Sequence, residues 1–506
     1  MELSSWLGLP TLRFGRSNSR PVQGLVLAGG GAKASFQIGA LRHLYDVVGI
    51  SPTAISATSA GSVVACSIAQ WSDRQDQSRA VRQLESMWMT MQEQSDMFAR
   101  RAWFNLLLDK APDWMKLVER DRRRTPVGLS RPRLNLPFAH SADGDTVVDP
   151  SDPRAGEDDE RMAAPLTGQA ATLEMATKDI EPDSGSASWS PSVMLQLLGV
   201  LSKLTRDGGD IQTILRGADA SGSTYRAGPL LAKLLDPEWF RSERLADSGL
   251  TLRIATVALE SGELRFMTEK GTLVDRDNRP VSDIHHEVTE GVLASCSVPG
   301  VFRPVEIEGE HYVDGGVREN VPAEITIGHL GVTHPYVITC SPQGSAGDGD
   351  FGTRNMLDLA TRSIEILTDE TERDEVAYAL NAGAVVIAPD VAVHSSMTVD
   401  PGLLRINRDY GWMTSARVHA ESTAEDRRLV NELVRLRMHG WELEKAWLAG
   451  TATRTEMDEL EQTKRQLVGA TARLPPELRP EGVETWGREL EAHGHMAEGL
   501  TPPWVV

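Results

Sequence analysis

Apolar positions recur along this chain in two rhythms. Short apolar blocks read as buried strands: Gly24–Ala28, Thr53–Thr58, Leu250–Leu259, Arg265–Thr268, Glu310–Val313, Pro335–Cys340 and Ala384–Ala388. Longer stretches with three-and-four spacing read as helices. In Ser35–Val48 the apolar positions are Phe36, Ile38, Ala40, Leu41, Leu44, Tyr45 and Val48; Ser62–Trp71, Asn355–Asn381 and Arg427–Leu448 follow the same rhythm. Ala80–Val118, rich in Met and Trp, is expected to be helical, and Gly291–Phe302 reads as a small-residue helix ending at Pro299-Gly300. The first two strand blocks each run into a tight turn and then a helix. That repeat predicts an α/β fold on a mostly parallel sheet.

The punctuation divides the chain into three parts. Residues 1–20 form an N-terminal segment without the features of a secretory signal, since Glu2 replaces the basic start and Pro10 and Arg13 interrupt it. Trp6, Leu7, Leu9 and Phe14 are the basis for a weak interfacial anchor there. Residues 21–400 carry the motifs discussed below, and 401–506 reads as a mainly helical C-terminal extension, with Trp441 and Trp447 as core anchors. Between Ala139 and Pro191 twelve acidic residues face three basic ones amid many Gly, Pro, Ser and Ala, so this stretch is expected to be a solvated insertion. It follows a basic run, Arg120–Arg133. No apolar run approaches the ~18–20 residues of a spanning helix; Val193–Leu201 breaks well short.

Composition narrows the function classes. Apolar residues are 40% and charged residues 25% of the 506, an ordinary globular balance. The formal charge of −20 argues against nucleic acid as a partner. Cys66, Cys296 and Cys340 lie far apart, which excludes a disulfide framework and fits buried thiols in a reducing, cytoplasmic compartment.

Three short motifs bear on chemistry. In Ala57-Thr58-Ser59-Ala60-Gly61 a serine sits on a strand-to-helix turn, where its hydroxyl is held out of the sheet; the competing reading is a helix cap. Gly29-Gly30-Gly31 opens a helix, so its backbone amides can hold an anion. A dinucleotide site lacks the acidic residue after the next strand, and a P-loop fails because Ala32 precedes Lys33. An oxyanion hole serving Ser59 is the other reading. Asp314-Gly315-Gly316 follows an apolar strand; it reads as a plain turn or as a loop bringing a base, Asp314, to the serine. Twelve histidines are present, among them His43, His285, His286, His311 and His334, and no context singles one out.

Together, Gly29–Lys33, Thr58–Gly61 and Asp314–Gly316 resemble the motifs of the patatin-like phospholipases. Ala294–Val305 and Ile254–Leu264 add to the likeness, which spans roughly Pro21 to Pro342 apart from the acidic insertion. The resemblance implies a three-layer fold and a Ser-Asp dyad without histidine: Ser59 as nucleophile and Asp314 as proton acceptor. It implies an oxyanion hole from Gly29, Gly30, Gly31 and Ala60, with Lys33, Gly61, Gly315 and Gly316 supporting. No metal or other cofactor is implied, and the substrate class is a lipid ester at a membrane surface, contacted peripherally. Two positions depart from the family pattern, Ala57 and Ala34 standing where glycine is usual, and slight narrowing of the site is expected. Trp103-Phe104, Leu106–Leu108 and Trp114-Met115, with Arg122–Arg124 after them, suggest an amphipathic lid or a core helix, and the acidic insertion is expected to limit access. Three other readings stand beside this one. They are a Ser-acid-His triad using His334 or His394, a catalytically weak lipid-binding or scaffolding protein, and a nucleotide-binding protein.

Overall fold

The strand Gln23–Leu27 (β1) shows why a sheet forms here. Leu25 and Leu27 enter one apolar cluster, Val26 and Ala28 enter another, and all four are fully buried. A strand buried on both faces belongs at the centre of a parallel sheet. The structure, a computed structural model, describes residues 21–110, 213, 216–217, 220–344, 356–420, 422–491, 502, 504 and 505. The expectations for residues 1–20, Trp114-Met115, Arg120–Arg133 and the acidic insertion lie outside the described residues.

From β1 the chain passes through the glycine loop into α1 (Ala34–His43), then β2 (Ala54–Ala57), α2 (Ala60–Ala69) and α3 (Arg74–Trp88). The short strands β3 (Phe98–Arg100) and β4 (Tyr225–Ala227) pair with each other, and α4 (Pro229–Leu234) follows. Next come β5 (Thr251–Ala258), β6 (Leu264–Thr268), β7 (Leu273–Val274), α5 (Val288–Ser295), β8 (Val305–Ile307) and β9 (Glu310–Asp314). After β10 (His334–Ile338) come α6 (Met356–Asn381), β11 (Val385–Ile387), α7 (Pro401–His419), α8 (Ala424–Leu448) and α9 (Arg454–Arg473).

Strands β11, β10, β1, β2 and β5 run parallel in that order, and β6 and β7 extend the sheet antiparallel. Helices α1, α2 and α7 cover one face, and Val376 and Ala379 of α6 cover part of the other. This is the expected α/β fold with a mostly parallel core and C-terminal helices. The functional geometry comes from β5. Its first half accepts β2 (Ala57 opposite Ile254), while its second half accepts β9 antiparallel (Asp314 opposite Thr256). Because β6 occupies the other edge over Arg253–Val257, β2 and β9 share one edge of β5 and meet end to end.

Two expected elements differ. The helix foreseen over Ala80–Val118 is broken: α3 ends at Trp88, and β3 intervenes before a second helix at 102–110. The small-residue helix ends at Ser295, because Pro299 removes an amide that the next turn would need. The C-terminal helices share the main apolar core with the sheet. A Cβ at Gly39 of α1 would fall 1.8 Å from the Arg408 carbonyl oxygen, and one at Gly411 of α7 would fall 1.9 Å from that of Phe36. These two helices therefore cross backbone to backbone. Trp441 is buried as expected, and Trp447 packs edge-on against Trp504 at 5.6 Å.

Candidate active site

Ser59 leaves β2 with φ 54° and ψ −130°, a region that L-residues seldom occupy. Its side chain does not cap α2, which sets aside the cap reading. Instead the hydroxyl stands beside the carboxyl group of Asp314, close enough to draw that group's pKa down. The Ser59 amide donates to Ser295 Oγ at 2.9 Å, and its carbonyl accepts the amide of Ser62 at 2.8 Å. Small neighbours are obligatory: a Cβ at Gly61 would sit 2.6 Å from the Leu27 carbonyl oxygen.

Asp314 closes β9 and is 5% exposed. Its amide donates to the Ser297 carbonyl at 3.1 Å, and its Oδ1 accepts the Gly316 amide at 2.8 Å. Burial pushes its pKa up to about 6, against the opposing pull of the Ser59 hydroxyl and the Gly316 amide. Gly315 lies flat on β5, where a Cβ would be 2.6 Å from that of Ala255.

The glycine loop brings its amides to the same place. Gly29 donates its amide to the Asn320 carbonyl at 3.2 Å, so that group is already engaged. The amides of Gly30, Gly31 and Ala60 have no acceptor among the described residues. The loop is fixed from outside the strand that leads into it. Ala32 donates to the Ser396 carbonyl at 2.8 Å, the Lys33 ammonium donates to Ser341 Oγ, and Asn407 of α7 donates to the Lys33 carbonyl at 3.2 Å. Cys340 fills the space beside Gly30, so a Cβ there would lie 2.5 Å from the Cys340 Cβ. Ala57 and Ala34 are both fully buried, taken up by the core.

Above this floor opens a cavity of about 300 Å³. Trp88, Met97, Phe98, Leu230, Leu234 and Phe302 form an apolar wall on it. Lys33, Ser341, Asp369 and Glu372 also line it, so the same space meets both hydrocarbon and polar groups. Phe104 and Leu107 of the 102–110 helix are buried in the main core, as the core-helix reading expects; the remainder of the suggested lid lies outside the described residues.

Sequence reading missed three positions. Ser295 and Asn320 bond the nucleophile turn and the glycine loop from far along the chain, and no local pattern marks them. Glu375 is the third; its carboxyl accepts the amides of Asn320 and Val321 at 3.2 and 2.7 Å, while Glu372 accepts the Asn320 side chain at 3.0 Å. Burial pushes Glu375 up to about 9. The two histidines weighed for a triad stand elsewhere. His334 is exposed at the start of β10, and His394 bonds the Ser395 carbonyl at 2.9 Å, with burial lowering it to about 4. Neither hydrogen-bonds Asp314. Among the described residues no group of His, Cys, Asp and Glu has the arrangement to hold a metal ion, and no helix is long and apolar enough to cross a membrane.

Comparison with known proteins bears on this geometry. No curated protein matches the chain. Among solved structures, VipD from Legionella pneumophila is similar at 14% identity, over 90% of this chain and 84% of that one, with a TM-score of 0.31. The type III effector protein ExoU is similar at 12% identity, over 92% and 72%, with a TM-score of 0.22. Full-length ExoU with SpcU from Pseudomonas aeruginosa gives 14%, 91%, 70% and 0.19. The sequence profile of the patatin-like phospholipases matches residues 25–327, from β1 through the turn beyond Asp314. That span takes in the glycine loop, the Ser59 turn and β9 together, and the chain belongs to the patatin-like phospholipase family.

Proposed function

We propose that this protein is a lipid acyl hydrolase of the phospholipase A or lysophospholipase type, working through a Ser59–Asp314 dyad. Membership of the family carries lipid-ester hydrolysis as the general activity. The observation that carries the finer reading is that Ser59, on its strained strand-to-helix turn, and the buried carboxyl group of Asp314 lie side by side at the floor of one apolar cavity. Ser59 Oγ attacks the ester carbonyl as Asp314 accepts its proton, and the oxyanion forms against the amides of Gly30, Gly31 and Ala60. Collapse expels the alcohol or lysolipid, which takes the proton from Asp314. A water then attacks the acyl-enzyme, with Asp314 again as base, and a fatty acid leaves.

Gly29 backs the loop rather than donating to the oxyanion, because its amide is spent on Asn320. Lys33 orients the loop and adds positive potential. Gly61, Gly315 and Gly316 supply the close approaches. The apolar wall takes the acyl chain, and the lipid is met at a membrane surface without nucleic acid or a cofactor.

The test is hydrolysis of a chromogenic medium-chain ester and a labelled phospholipid, in chelator, by wild type, Ser59→Ala and Asp314→Asn. Each variant is expected to lose at least ~10³-fold in kcat. A Ser59→Ala enzyme that keeps its rate overturns the dyad. Liposome binding by a wild type that hydrolyses neither substrate favours the binding-protein reading.

A further inference from the structure

The end of α5 and the residues just after it touch both Ser59 and Asp314. Ser295 Oγ accepts the Ser59 amide at 2.9 Å, and two residues on the Ser297 carbonyl accepts the Asp314 amide at 3.1 Å. The turn between them is closed by its own bonds, Ser297 Oγ to the Leu293 carbonyl at 2.7 Å and the Ser297 amide to Ala294 at 2.9 Å. The helix that carries it is pressed on the sheet, since a Cβ at Gly291 would stand 2.5 Å from the Cβ of Met267 in β6. One helical turn anchored on the sheet thus sets the distance between the Ser59 and Asp314 backbones.

We infer that Ser295 is a positioning residue for Ser59: its hydroxyl holds the nucleophile turn in the conformation that aims Oγ at Asp314. This rests on the reading of Ser59 as nucleophile. Two features favour a positioning role over simple packing. The Ser59 amide is buried in a turn of positive φ, and its one recorded acceptor among the described residues is this hydroxyl, so no backbone bond replaces it. Ser295 is also 0% exposed and does not line the cavity, whereas its neighbour Cys296 does, so its loss should spare substrate binding.

The experiment compares full-length wild type, Ser295→Ala, Ser295→Thr and Ser59→Ala. It measures kcat and KM on the medium-chain ester, the rate of Ser59 labelling by a fluorophosphonate, and Tm. Removing the acceptor is expected to lower kcat and the labelling rate together by about 10²-fold. KM should stay within about twofold, the mark of lost transition-state geometry rather than lost binding. Ser295→Thr, which keeps a hydroxyl acceptor, should recover most of the rate. A Ser295→Ala enzyme with wild-type kcat and labelling overturns the inference. So does equal loss in the Ala and Thr variants with a matching fall in Tm, which would make Ser295 a packing residue. Failure of the dyad itself looks different: Ser59→Ala then hydrolyses like wild type, and the inference falls with it. An inactive Ser59→Ala beside an unimpaired Ser295→Ala removes the Ser295 role alone.

Discussion

Asp314 meets opposing demands. As the proposed base it must be ionised, yet it is nearly closed off from water, and among the described residues no cation pairs with it; the Gly316 amide and the nearby Ser59 hydroxyl favour its charged form. Burial raises its pKa from 3.8 to about 6, so kcat/KM is expected to fall as pH drops through about 6, which a pH–rate profile reads directly. Stability has the opposite sign. An acid whose folded pKa is raised gives its full contribution below the unfolded value and loses it as pH rises through about 6. Asp314→Asn should therefore melt higher than wild type at pH 7–8 and converge with it near pH 4, despite being inactive; thermal melts across that range check this. The pairing of Ser59 with Asp314 was legible only through the three motifs taken together, since each turn alone also reads as a helix cap or a plain turn. Ser295 and Asn320 were not. A serine whose partner lies 236 residues away leaves no local periodicity to read.

At the scale of elements, the meeting of Ser59 and Asp314 follows from two strands sharing an edge. A β2 longer by two residues would reach Thr256, the position on β5 that Asp314 takes. The glycine loop depends on space as much as on conformation. Gly30 has an extended φ of 178°, which any residue can adopt, but Cys340 leaves no room for a side chain. Gly30→Ala is expected to displace the loop and cost about 10²–10³-fold in kcat, as removal of an oxyanion donor does. Pairing it with Cys340→Gly should restore part of the rate, a coupling that a double-mutant cycle quantifies. The parallel strands and the helices after them were legible, since each is a complete local pattern. The β3–β4 pair was not: two three-residue strands whose partners are far apart in sequence carry too little periodicity. The same gap hid the wall that α4 contributes, because Leu230 and Leu234 are remarkable only for what they face.

At the scale of the whole molecule, the C-terminal helices share the main apolar cluster with the sheet and the site among the described residues. Helix α7 meets α1 at Gly39 and Gly411, and α1 begins where the glycine loop ends, so damage at the crossing should reach the site. Gly411→Ala is expected to lower stability by about 1–3 kcal/mol through overpacking and to reduce activity with it. Gly469 in α9, with nothing within 4 Å of a new Cβ, is the counter-case: Gly469→Ala should gain roughly 0.5–1 kcal/mol from helix propensity alone. Urea titrations of both variants test the contrast. The buried triad of Arg437 with Asp409 and Glu491 joins α7 and α8 to the residues beyond α9 in the same body. The acidic insertion belongs to this scale too. Deleting Ala142–Ser188 is expected to raise hydrolysis of micellar substrate, and an unchanged rate would free the insertion of any role in access.

The β3–β4 pairing has a consequence for how this chain can change. Arg100 lies opposite Tyr225, and the Arg101 amide still reaches the Thr224 carbonyl at 3.0 Å, so residues 101 and 224, far apart in sequence, are neighbours in space. Closing a longer excursion between such neighbours costs little, about 0.6 kcal/mol for each doubling of its length. Chain added beyond the 102–110 helix, which itself packs in the main core, should therefore cost the fold little, and an engineer can splice a reporter domain there. Because Met97 and Phe98 stand beside this pairing and on the cavity wall, such a reporter is expected to respond when the cavity fills.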